Sequence, residues 1–101
     1  MKKILLVCAA GMSTSLLVTK METAAQEKGL EAEIFALSVT ESKDVINTVD
    51  LILLGPQVRF QKAAIEKQVD GRVPVEVVDM RAYGTMNGEA VIEQAMKLLN
   101  V

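Results

Sequence analysis

The chain predicts a single α/β domain built on a four-stranded parallel sheet with helices on both faces, and three observations lead there. Residues 4–7 and 51–54 are uniformly apolar rather than alternating, as strands covered on both faces are. Stretches of helical periodicity separate the strand-like runs, and a parallel strand pair needs such a crossover. A length of 101 residues suits one hydrophobic core and is too short for two ordinary ones.

The elements follow in order. Residues 4–7 form the first strand. Residues 13–28 read as a helix, with Leu17, Met21, Ala24, Ala25 and Lys28 at helical spacing and Lys20, Glu22, Gln26 and Glu27 largely elsewhere. Gly29 stops it in the position of a left-handed cap. Residues 32–37 make the second strand, with Ile34 and Ala36 on one side and Phe35 and Leu37 on the other. A short helix is expected at 41–46. The third strand, 51–54, breaks at Gly55-Pro56, a strong turn signal, and a helix is expected over 57–68. Residues 75–78 form the fourth strand. Ala90, Val91, Ala95, Leu98 and Leu99 stripe the last helix, with Asn87 as its cap, and Met21 and Met96 read as core residues.

Composition excludes several classes. A formal charge of −2, scattered lysines and only Phe35, Phe60 and Tyr83 as aromatics offer neither a basic stripe nor a stacking platform, so nucleic acid is a poor partner. With one cysteine and no histidine, an internal disulfide, a Cys-x-x-Cys pair and a Cys-His dyad are all unavailable, and a zinc site is improbable. No metal or cofactor is expected. No apolar run approaches a membrane span, and Met1-Lys2-Lys3 leads into a strand without a signal-peptide cleavage pattern; a cytoplasmic location without membrane insertion is the expectation.

In open parallel sheets the working site lies outside the carboxyl ends of the strands, where strand order reverses. Cys8, Gly55-Pro56-Gln57 and Asp79 fall at that edge. After Cys8 come Ala9, Ala10, Gly11, Met12, Ser13, Thr14 and Ser15. The small residues leave backbone N–H groups accessible, the hydroxyls add donors, and the start of a helix adds its partial positive charge; together these make an anion cradle, a P-loop in the sense of a phosphate-holding loop. The same surroundings favour the thiolate, the nucleophilic form of Cys8. A buried structural cysteine beside capping hydroxyls is the competing reading. Met12 suits either an exposed contact with partner proteins or simple coverage of the core. Asp79 reads more readily as a turn cap than as a general acid, while Gln57 and Tyr83 can serve either as packing or as polar groups facing the loop.

With these residues in view, the chain resembles the lactose/cellobiose-type enzyme IIB of the bacterial phosphoenolpyruvate-dependent sugar phosphotransferase system (PTS), and within it the cellobiose, lichenan and chitobiose branch. The resemblance runs from end to end, as one domain over residues 1–101. It is most specific in Cys8 to Val18, in Leu54-Gly55-Pro56-Gln57-Val58 and in Tyr83-Gly84-Thr85-Met86-Asn87-Gly88. It implies strand order 2-1-3-4, a fold like that of low-molecular-weight tyrosine phosphatases, and a Cys8 phosphorylated by the phosphohistidine of enzyme IIA. The group then passes to a β-disaccharide held by the membrane permease, enzyme IIC. A monomer suffices for such collisional transfer. The phosphate loop of the family carries over onto Ala9 through Ser15, with Gln57 and Tyr83 as second-shell candidates.

The loop also resembles the phosphatase pattern Cys-x5-Arg-Ser/Thr, with one departure: Thr14 stands where the arginine would be and Ser15 where the hydroxyl residue would be. Losing the guanidinium removes the strongest partner of a transition-state phosphoryl group, which suits a carrier rather than a hydrolase. The alternatives are a phosphatase-like hydrolase and a non-catalytic, flavodoxin-like binding domain.

Overall fold

In the computed structural model the described residues are 1–8 and 12–101, and for residues 12–14 the description extends to the backbone alone. The strands are β1 (Lys2–Cys8), β2 (Ala32–Ser38), β3 (Leu51–Leu54) and β4 (Val75–Val77), and the helices are α1 (Met12–Glu27), α2 (Val39–Ser42), α3 (Lys62–Val69), α4 (Met80–Gly84) and α5 (Gly88–Leu99). All strand pairs are parallel, in the order β2-β1-β3-β4. This sheet is not the fold of P-loop nucleotide-binding proteins. The segment after Cys8 also lacks the G-x-x-x-x-G-K-S/T spacing that such proteins use, so the P-loop reading does not hold.

The central strands explain the apolar runs. Ile4, Leu6, Leu51 and Leu53 face one layer, formed with Leu17, Met21, Ala24 and Ala25 of α1, Ala82 and Tyr83 of α4, and Val91, Ile92 and Ala95 of α5. Leu5, Val7, Ile52 and Leu54 face the other, against Ile46, Val49, Val58 and the α3 residues Ile65 and Val69. Two-sided coverage leaves no polar face, hence no alternation. Edge strand β2 keeps the expected division, Ile34 and Ala36 toward the first layer, Phe35 and Leu37 toward the second.

Turn chemistry behaves as read. Gly29 takes φ 73°, where a side chain is costly, and Asn87 caps α5 by accepting from the Ala90 N–H at 3.1 Å. Lys28 lies beyond the helix and is exposed, while Met21 is buried and Met96 partly so. Three expectations are corrected. The short helix expected at 41–46 sits earlier, because Ser38 and Glu41 close a capping box that starts α2 at Val39. The helix expected over 57–68 divides into a 3-10 segment, Pro56–Gln61, kinked at Val58 (φ −115°, ψ 20°), followed by α3. The fourth strand stops one residue early because Asp79 already caps α4, a helix the sequence reading did not contain.

Candidate functional site

Cys8 ends β1, the strand on which the sheet order reverses, and α1 begins four residues later. Cys8 is 2% exposed, and its Sγ donates to the Leu37 carbonyl of β2 at 3.5 Å, a weak S–H···O bond. Ala9, Ala10 and Gly11, and the side chains of Met12, Ser13 and Thr14, lie outside the described residues, so the cradle and the exposed Met12 remain sequence expectations. Ser15 is exposed on the first turn of a 16-residue helix, whose dipole puts partial positive charge at that end.

The other candidates reach the same edge by identifiable steps. Asp79 accepts from the Ala82 N–H at 3.0 Å and so starts α4; its own N–H donates to Gln94 Oε1 at 3.2 Å. The carboxylate is occupied as a cap, the reading preferred from sequence. That cap places Tyr83 one turn along α4, buried in the first layer. Met86, in the left-handed region at φ 54°, then turns the chain so that the Asn87 N–H returns to the Ala82 carbonyl at 2.8 Å and α5 begins.

Gln57 follows β3 and is exposed. Gln57 and Tyr83 meet at Gly55: a Cβ built there would stand 3.2 Å from Gln57 Oε1, 3.3 Å from Tyr83 Cε2 and 3.4 Å from Tyr83 Oη. The Gly55 N–H donates to the Val7 carbonyl at 2.9 Å, and Val7 is in register with Leu54, so Gly55 is level with Cys8 on the adjacent strand. The structure therefore brings Cys8, Gly55, Gln57 and Tyr83 to one corner of the sheet. Gly55 is the member that sequence reasoning put at this edge as a turn signal and gave no role of its own. Its signal was the absence of a side chain directly before a proline. Among the described residues, no three His, Cys, Asp or Glu side chains stand close enough to hold a metal ion.

Comparison with known proteins agrees with the fold. The family model described as PTS system, Lactose/Cellobiose specific IIB subunit matches residues 3–94. The chain is 49% identical over 100 residues to the oligo-beta-mannoside-specific EIIB component of Bacillus subtilis, covering 98% of this chain and 97% of that one. It is 44% identical over 105 residues to the cellobiose-specific EIIB component of Lactococcus lactis subsp. lactis, again covering 98% and 97%. The solution structure of a cellobiose-specific phosphotransferase IIB component from Borrelia burgdorferi superposes with a TM-score of 0.78 at 42% identity, over 98% of this chain and 92% of that one. The lactose-specific IIB domain of Streptococcus pneumoniae, at 16% identity, a TM-score of 0.80 and 96% coverage of both chains, shares the fold. A parallel sheet in the order 2-1-3-4, a cysteine at its central carboxyl edge and similarity along nearly the whole length lead to one conclusion: this chain belongs to the lactose/cellobiose-specific IIB subunit family of the PTS, as a component of a sugar transport system.

Proposed function

We propose that Cys8 is the phosphoryl carrier of this subunit. The Cys8 sulfur attacks the phosphorus of a phosphohistidine on enzyme IIA; the N–P bond breaks as the S–P bond forms, and the thiol proton ends on the released imidazole. In the second step a hydroxyl of the sugar bound to enzyme IIC attacks the same phosphorus, the S–P bond breaks, and the hydroxyl proton returns to sulfur. No metal or cofactor takes part in this scheme, and a β-linked disaccharide is the acceptor class. The observation that supports the reading is the place of the chain's one cysteine, at the carboxyl end of β1 beside the start of a long helix. Ala9 to Ser15 would supply the amides and hydroxyls around the transferred group. In the resting arrangement the sulfur is covered, so acceptance requires it to leave the Leu37 carbonyl.

Thr14 in place of arginine argues against hydrolysis, because water attack loses its strongest charge-stabilising partner. Intact-mass measurement after incubation with phosphoenolpyruvate and the upstream relay proteins should reveal one phosphoryl adduct, absent in Cys8→Ala. An adduct that survives Cys8→Ala, or rapid turnover of p-nitrophenyl phosphate, would refute the carrier.

A further inference from the structure

Gly55 is a glycine for a steric reason. Its backbone, at φ −61° and ψ 147°, is extended chain that any residue adopts, so conformation does not exclude a side chain. Space is tight instead: the site of the missing Cβ is bordered by Gln57 Oε1 and by the ring and hydroxyl of Tyr83 at 3.2 to 3.4 Å, so a methyl there would displace them by a few tenths of an ångström. Strand alternation puts Gly55 on the face of Leu51 and Leu53, and Cys8 on the face of Ile4 and Leu6, which is the same layer that Tyr83 joins. Neighbouring strands lie about 5 Å apart, so the slot that Tyr83 overhangs adjoins the cysteine. Tyr83 is 9% exposed, and among the described residues no group hydrogen-bonds its hydroxyl.

We propose that the Tyr83 hydroxyl donates a hydrogen bond to an oxygen of the phosphoryl group on Cys8, and that Gly55 stays bare to let it reach. The assignment rests on Cys8 being the phosphoryl acceptor. A phenol orients the dianion as a neutral donor, without the fixed positive charge of a guanidinium, which suits a group that must be surrendered again.

The test measures, by rapid quench, phosphoryl transfer from phosphorylated enzyme IIA to this protein, together with the ³¹P spectrum of the product. The variants are Tyr83→Phe, Gly55→Ala and both combined. Phenylalanine keeps the ring packing and removes only the hydroxyl. All forms should carry one adduct on Cys8. Tyr83→Phe should slow transfer about tenfold and move the phosphocysteine resonance. Gly55→Ala, which removes no functional group, should slow it by less, and the double variant should be no slower than Tyr83→Phe, because alanine acts through the position of the hydroxyl. A wild-type rate and resonance in Tyr83→Phe overturns the proposal, and so does strict additivity of the two changes. Should Tyr83→Phe misfold, wild-type behaviour of Gly55→Ala overturns it alone. A wild-type protein that takes no adduct at all defeats the Cys8 reading and this one with it, an outcome distinct from adducts formed at unchanged rates.

Discussion

The two faces of the sheet are built differently. One is covered by two long helices, α1 of 16 residues and α5 of 12, with α4 completing the layer. The other is assembled from the four-residue α2, the turns behind it, a kinked 3-10 segment and the eight-residue α3. On the first face the approach is close enough to involve backbone. A Cβ on Gly88 would stand 2.4 Å from the Lys20 carbonyl carbon and 2.6 Å from the Met21 nitrogen. Cys8, Gly55 and Tyr83 belong to this face. The difference teaches that the corner proposed to work rests on the side whose helices are held backbone to backbone, while the patchwork side mainly closes the core.

If that is right, the largest effect comes from forcing the two long helices apart. Gly88→Ala should cost about 3 kcal/mol or more, because backbone cannot rotate away from the new methyl as a side-chain tip can. A urea midpoint close to that of the parent would break the comparison. Next come cavities on the two faces. Leu53→Ala, under α1 and α5, should cost about 3 kcal/mol, and Ile65→Ala, under α3, about 2 kcal/mol, since shorter and more irregular elements collapse more readily around a void. Equal losses in chemical denaturation would remove the distinction between the faces.

A smaller effect tests the patchwork side through its cap. Ser38 Oγ accepts from the Glu41 N–H at 3.2 Å, and Glu41 Oε1 accepts from the Ser38 N–H at 3.1 Å. Ser38→Ala should cost about 1 kcal/mol, or about 4–8 °C in melting temperature. The Glu41 carboxyl is held below its usual value, chiefly by the Ser38 backbone N–H and then by the Ser38 hydroxyl. A lowered carboxyl pKa stabilises the fold above the unfolded value, and that contribution disappears as pH falls through the carboxylate range. Glu41→Gln should therefore flatten the acid limb of a melting-temperature profile; an unchanged slope would assign that limb to other carboxylates. The smallest effect belongs to Lys62, raised above its usual value mainly by its hydrogen bond to Glu76, with Nζ and Oε1 3.0 Å apart. The help given by a raised lysine is complete below its unfolded value and lost as pH rises past the folded one, so Lys62→Met should matter least in strongly alkaline solution. A deficit that instead grows with pH in alkaline melts would contradict this assignment.

The sheet-edge part of the candidate site was legible because its signals are local. Cys8 closing an apolar run, small and hydroxyl residues behind it, and the break at Gly55-Pro56 are patterns of adjacent residues. Tyr83 was legible as a candidate facing the loop, but not its meeting with Gly55, 28 positions earlier in the chain. Similarly, α4 spans five residues, too few for a helical period to register, and exists because Asp79 caps it and Asn87 folds back onto Ala82.

Sequence alone determined the four strands, their two-sided burial, the left-handed stop at Gly29, the cap at Asn87 and the placing of the cysteine at the carboxyl edge, because hydrophobic period and turn chemistry act between near neighbours. Only the tertiary structure decided where the 57–68 stretch kinks, how closely α5 lies on α1, and that a bare glycine, a glutamine and a tyrosine share one corner with Cys8. Those outcomes depend on how much room remains once distant segments pack at native density, a quantity no local pattern encodes.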